Sequence, residues 1–211
     1  VLGLVEPQSS GIGGGAFLIW FDAVSGQITT LDGRETASLH VTPQLFQDAS
    51  GEPLKFFEAV VGGKSVGVPG TPALMLDAHK RSGRLSWSSL FEPGISLAKS
   101  GFKVSPRLSM LVSRDKKHLT QFERTAAYFY PGGKPIKAGD IVKNLSYANT
   151  LHGLASDQGA SFYKGEIAKD VVNTVQSAAG NPGRLDVKDL AGYRVKERSA
   201  VCLSLIHISE P

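Results

Sequence analysis

Apolar residues change their spacing along the chain, and the change divides it into a strand-forming start and a helical remainder. Phe17, Ile19 and Phe21 alternate with Leu18 and Trp20, so residues 17–21 read as a strand apolar on both faces. Ser25-Gly26 is a hairpin-type break, and residues 27–32, with β-branched Ile28, Thr29 and Thr30, read as the returning strand. Ahead of the hairpin lie a short apolar stub at 1–5, the end of an element, and the glycine-rich turn Ser9-Ser-Gly-Ile-Gly-Gly-Gly15. Residues 36–64 carry loop signals in Pro43, Gly51, Pro53 and Gly62-Gly63.

From Thr71 onward the period is helical. Thr71 can cap, Pro72 fits the first helical position, and Gly83 follows the last periodic residue, with Leu74, Met75, Ala78 and His79 on one face. A second stretch over 86–99 is expected to bend or break at Pro93 and to close at Gly101. A third begins at Pro106, with Leu108, Leu111 and Val112 at helical spacing. Pro131-Gly-Gly-Lys-Pro135 is a turn, and residues 144–155 and 163–179 are further helices, the latter lined by Ile167, Val171 and Val175. Asn181-Pro-Gly183 breaks the chain, and Asp186 with Asp189 forms a capping box opening a short helix to Ala191. The pattern predicts an α+β fold, an N-terminal β-hairpin followed by a mainly helical layer.

Composition narrows the function classes. The chain has 211 residues, 41% hydrophobic and 20% charged, as an ordinary globular domain with one sizeable core would. Its net charge is +4, but Lys and Arg are scattered; the densest run, Arg114-Asp-Lys-Lys-His118, contains an acid and reads as a solvated helix end. No nucleic-acid partner is expected. No apolar run nears the ~20 residues of a membrane span, so none is expected either. One cysteine, Cys202, excludes an internal disulfide framework and a cysteine-rich metal site.

Three motifs invite chemistry. Gly11-Ile-Gly13-Gly-Gly-Ala16, with Asp32 about twenty residues on, has the spacing of a dinucleotide fingerprint. That motif must open a helix whose N-terminus receives the pyrophosphate, and a strand follows instead. A turn in which two backbones approach closely is the better reading. Gly63-Lys-Ser65-Val-Gly67 fits a nucleophile elbow, with Asp140 and His152 downstream, but Val66-Gly-Val-Pro-Gly70 intervenes before any helix can start. The same segment lacks the first glycine of a P-loop, since Glu58 stands there. His40, His79, His118 and His152 show no paired ligand spacing, and neither metal nor cofactor is expected. What remains is Asp32-Gly-Arg-Glu35 at the end of the hairpin. Arg34 is either a solvated surface residue or a guanidinium fork aimed at a substrate carboxylate, and its chemistry allows both.

Seven segments together resemble the large subunit of γ-glutamyltransferases. They are Val5-Glu-Pro-Gln-Ser-Ser-Gly-Ile-Gly-Gly-Gly-Ala-Phe17, Asp32-Gly-Arg-Glu-Thr-Ala37, Gly67-Val-Pro-Gly-Thr71, Leu85-Ser-Trp87, Leu97-Ala-Lys-Ser-Gly-Phe102, Phe162-Tyr-Lys-Gly165 and Asp189-Leu-Ala-Gly-Tyr193. The resemblance covers residues 2–201. It implies an N-terminal nucleophile hydrolase, an αββα sandwich made as one chain that cuts itself into two subunits. It implies that the new N-terminal threonine of the small subunit attacks the γ-glutamyl amide of donors such as glutathione, and that the acyl group passes to water or an amine. Periplasmic or secreted placement is implied by the same likeness. Arg34 matches the arginine that binds the α-carboxylate of the donor; Ser38 stands where proline is common, and a looser loop is expected there.

By this resemblance residues 1–202 are a partial large-subunit domain, truncated at both ends. The threonine and the oxyanion-hole residues lie beyond Val201, so the chain alone is expected neither to self-process nor to form an acyl-enzyme. Residues 203–211 match in frame the translation of a transposase adapter and are set aside as non-native; the other reading is a terminal strand over 201–208. Two functional alternatives stay open: a cephalosporin (glutaryl) acylase of the same fold, and a non-catalytic family member.

Overall fold

The computed structural model describes residues 1–201; Cys202 and the adapter-like segment 203–211 lie outside the described residues. A helical turn, α1 (Leu2–Val5), precedes strands β1 (Ala16–Phe21) and β2 (Ile28–Gly33), then helices α2 (Phe56–Val60) and α3 (Thr71–Ser82). After a 3-10 turn come α4 (Glu92–Ser100), β3 (Phe102–Lys103), α5 (Pro106–Arg114), α6 (Lys116–Leu119) and α7 (Glu123–Phe129). A second 3-10 turn leads to β4 (Ile141–Val142), α8 (Leu145–Asp157), α9 (Ala160–Lys164), α10 (Glu166–Gln176), α11 (Val187–Gly192) and β5 (Lys196–Arg198). The α+β expectation, a hairpin followed by a mainly helical layer, is met.

β1 and β2 pair antiparallel with Leu18 opposite Leu31 and Ile19 opposite Thr30, and β5 joins the far side of β2. Gly26 takes the positive φ of 71° that the hairpin turn requires. Alternation sends Leu18 and Leu31 toward α3, where Leu31 is buried. Gly33 lets that helix close in, because a Cβ there would lie 2.5 Å from Leu74 Cβ. Phe17, Ile19 and Phe21 point the other way with Ile28 beside them, and Ile19 is 72% exposed. The strand is apolar on both faces as its sequence says, and the described chain covers one.

Helix ends follow local chemistry more closely than length. Ser105 Oγ accepts from Leu108 N–H at 3.0 Å to open α5, Asn144 caps α8, and the Asp186/Asp189 capping box opens α11. Three expectations need correction. Thr71 lies inside α3, whose N-cap is Gly70 without a side-chain bond. Pro93 does not bend a helix; it sits in the first turn of α4, where a missing N–H breaks no helical bond. The stretch 163–179 is two helices, because Gly165 adopts φ −102°, ψ −150° between α9 and α10. The loop-like 36–64 region also contains α2. Around Arg114-Asp-Lys-Lys-His118 the basic side chains are exposed at the α5–α6 junction, while the His118 ring pairs with Asp115 and stacks on Phe57 at 4.1 Å.

Two buried clusters fill the helical layer around α4, α5 and α8 and around α8 and α9. A third unites Val68, Ala168, Val172, Val175, Leu185, Leu190 and Tyr193. This third cluster reaches the end of β2, where the candidate site lies.

Candidate functional site

Arg34 follows the last residue of β2, with its backbone N–H and carbonyl both engaged and its guanidinium engaged in part. Its N–H donates to Asp32 Oδ1 at 2.9 Å, and its carbonyl accepts from the Tyr193 hydroxyl at 2.8 Å. Its guanidinium donates through Nη1 to Gly15 O at 3.1 Å and pairs through Nη2 with Glu35 Oε2 at 3.0 Å. The guanidinium carbon lies 5.9 Å from the Phe17 ring centroid, within cation–π range. The side chain is thus at the margin of the uncovered apolar face, oriented yet 51% exposed. The remaining guanidinium N–H donors can meet a planar carboxylate as a fork.

Asp32 supports this arrangement from below. One carboxylate oxygen takes the Arg34 N–H and the other takes Arg198 Nε at 2.7 Å from β5. The Arg34 N–H first, and then the Arg198 guanidinium, hold this carboxyl below its ordinary range. The glycine-rich turn brings backbones together, as expected: Gly14 O accepts from Gly70 N–H at 2.9 Å and Thr71 N–H at 3.0 Å. At Gly15 an added Cβ would sit 2.6 Å from Glu35 Oε2 and 2.7 Å from Arg34 Cα, so a side chain there would displace the turn.

The segment after Arg34 is fixed in the same manner. Thr36 O accepts from Val68 N–H at 2.8 Å. Tyr163 donates to Pro69 O at 2.8 Å and accepts from Ala73 N–H at 3.2 Å, and its ring stacks on Tyr193 at 5.9 Å. Burial pushes both phenols up, aided at Tyr193 by the charges of Asp32 and Glu35, so both remain O–H donors near neutral pH. Ser38 does not loosen the loop. It is buried, its hydroxyl donates to Arg184 O at 2.7 Å and accepts from His40 N–H, and Asp189 Oδ1 accepts from Leu39 N–H at 2.9 Å. Burial alone would raise the Asp189 carboxyl, but the Leu39 N–H, then the Ser38 hydroxyl and the Asp186 N–H, together outweigh it and the net shift is downward.

The rejected motifs stay apart from this chemistry. β1, not a helix, follows the glycine-rich turn. Ser65 Oγ donates to Val60 O, Asp140 accepts from Lys137 N–H and His152 is exposed on α8; no hydrogen bond joins the three among the described residues. Among those residues no group of three or more His, Cys, Asp or Glu side chains gathers, and no helix is long and apolar enough to cross a membrane. Sequence reasoning singled out Arg34 but gave no role to Asp32, Glu35, Tyr193 or Arg198. The first three lay inside quoted motifs; Arg198 had no local signal.

The model of the family described as Gamma-glutamyltranspeptidase matches residues 1–208. The chain is 37% identical to the glutathione hydrolase proenzyme of Bacillus subtilis (strain 168) over 196 residues, 92% of this chain and 32% of that protein. The crystal structure of Helicobacter pylori gamma-glutamyltranspeptidase superposes with a TM-score of 0.90 at 30% identity, covering 97% of this chain and 58% of that one. Cephalosporin acylase from Bacillus halodurans superposes with a TM-score of 0.80 at 28% identity, over 96% of this chain and 38% of that one. The chain therefore spans about a third of the length of its curated Bacillus relative. The fold is that of the N-terminal nucleophile hydrolases, present in part, and the chain belongs to the gamma-glutamyltranspeptidase family.

Proposed function

We propose that this chain is the N-terminal part of the large subunit of an enzyme that cleaves the γ-glutamyl amide of glutathione-like donors. In this reading Arg34 grips the donor α-carboxylate, and a small subunit made by self-cleavage of the same precursor supplies the threonine. The threonine Oγ attacks the amide carbonyl while its proton passes to the threonine α-amine. The C–N bond then breaks, the leaving amine takes that proton, and water or an acceptor amine releases the acyl group. Residues 1–202 contribute orientation of the donor, and no bond-breaking group is assigned to them.

The single observation that carries this reading is the Arg34 guanidinium, fixed by Gly15 O and Glu35 yet half exposed at the margin of an uncovered apolar sheet face. That face is where the small subunit packs in this reading, since a bare apolar sheet face needs a second layer. In the full-length, self-processed enzyme, Arg34→Ala should raise KM for a γ-glutamyl anilide about ten- to a hundredfold, the worth of a charged hydrogen bond. Arg34→Lys should recover part of the loss, because a point charge cannot reproduce the fork. An unchanged KM in both variants removes Arg34 from the site.

A second reading is favoured by the likeness to the Bacillus halodurans cephalosporin acylase. There Arg34 would hold the carboxylate of a glutaryl side chain. Turnover of glutathione against glutaryl-cephalosporin by the full-length protein separates the two. The exported location follows the family resemblance and is tested by fractionating cells that express the full gene. Residues 203–211 are proposed as adapter-derived although the family match reaches residue 208; adapter-free sequencing of the source DNA decides this.

A further inference from the structure

We propose that Tyr193 and Arg198 are positioning residues for Arg34, forming a clamp that sets how tightly the enzyme discriminates for a donor carboxylate. The inference rests on the assignment of Arg34 to the donor. A flexible arginine on a surface turn loses affinity to the entropy of ordering it, and a small misplacement of a binding group weakens a directional pair. Here the backbone of Arg34 is gripped at both of its polar groups. Its carbonyl accepts from the Tyr193 hydroxyl at 2.8 Å, and its N–H donates to Asp32, whose other oxygen accepts from Arg198 Nε at 2.7 Å. The anchors come from the C-cap of α11 and from β5, about 160 residues away along the chain.

Tyr193 is more than core filling. Its ring is buried and stacked on Tyr163, which phenylalanine would preserve, whereas only the hydroxyl meets the Arg34 carbonyl. Gly70 leaves room for that hydroxyl: a Cβ there would collide with both Tyr193 Oη and Gly33 O. Arg198 is largely exposed on β5, so its side chain adds little to the core; its partner Asp32 is 13% exposed and lies directly beneath the turn. Without the clamp the Arg34 turn keeps its side-chain contacts to Gly15 O and Glu35 but loses the backbone constraints that aim them.

The test is competitive inhibition of the full-length enzyme by L-glutamate and by 4-aminobutyrate, which lacks the α-carboxylate. Tyr193→Phe and Arg198→Met should each narrow the ratio of the two inhibition constants about three- to tenfold, as expected for one neutral or solvent-screened bond lost. Arg198→Lys should restore most of the ratio. A merely structural role would weaken both inhibitors equally and leave the ratio unmoved, which overturns the proposal. Should Tyr193→Phe fail to fold or self-cleave, Arg198→Met alone carries the test. Arg34→Ala run alongside keeps the two claims separate. If it leaves discrimination intact, the Arg34 assignment falls; if it erases discrimination while the clamp variants keep it, only the clamp falls.

Discussion

The two faces of the β1–β2 hairpin both carry large apolar residues and end in opposite circumstances. On one, Leu31 is 1% exposed and α3 closes over it; on the other, Phe17, Ile19 and Phe21 stand open. The packed face makes the segment a fold. The open face, with Arg34 over Phe17 at its margin, is in the proposed reading half of a site. The difference teaches that the hairpin is shared property: one layer is supplied by the helices described here, and the other, on the reading above, by a partner subunit.

Substitutions on the two faces should therefore behave differently. Leu31→Ala leaves a cavity against α3 and should cost about 2–5 kcal/mol in chemical denaturation of the full-length protein. Replacing Phe17, Ile19 and Phe21 together with threonine should raise the soluble yield of residues 1–201 expressed alone, since an uncovered apolar sheet invites association. In the full-length precursor the same triple change should instead prevent the two subunits from co-purifying. Equal behaviour in both contexts would mean that the face is never covered.

Smaller changes probe the margin between the faces. Gly15→Ala pushes on Glu35 and on the Arg34 backbone, so it should raise KM for the donor several-fold, about 1 kcal/mol by analogy with off-rotamer and overpacking costs. The least effect is expected from acid. Asp32 has its carboxyl lowered from an ordinary value of 3.8, so its contribution to stability is present above that value and fades as pH falls through the lowered one. Urea midpoints measured between about pH 5 and pH 2 should fall less steeply for Asp32→Asn than for the parent.

The sequence was most informative where structure is decided locally. The hairpin, the helix start at Pro106 and the Asp186/Asp189 box each depend on residues a few positions apart, and each is found as expected. Pro93 misled because a helix-breaking residue also starts helices, and the period over 163–179 ran through Gly165 because periodicity alone cannot tell one helix from two that meet at a glycine. For α2 there was too short a run to show a period. At the candidate site, Arg34 was singled out only through the Asp32-Gly-Arg-Glu35 motif in its family setting. Its supports were not, because Tyr193, Arg198 and the Asp189–Leu39 bond join segments 150 to 166 residues apart and leave no spacing to read. Ser38, unusual where proline is common, was expected to loosen a loop that its hydroxyl in fact ties to Arg184.

The claim on which the rest depends is that a donor carboxylate lands on the guanidinium at the rim of the open sheet face. A crystal structure of the full-length processed enzyme soaked with L-glutamate tests it most directly. The α-carboxylate should lie within about 2.7–2.9 Å of the Arg34 terminal nitrogens, the range of a charge-assisted pair. Glutamate bound with its α-carboxylate on another residue, and Arg34 still turned only to Gly15 and Glu35, would contradict it.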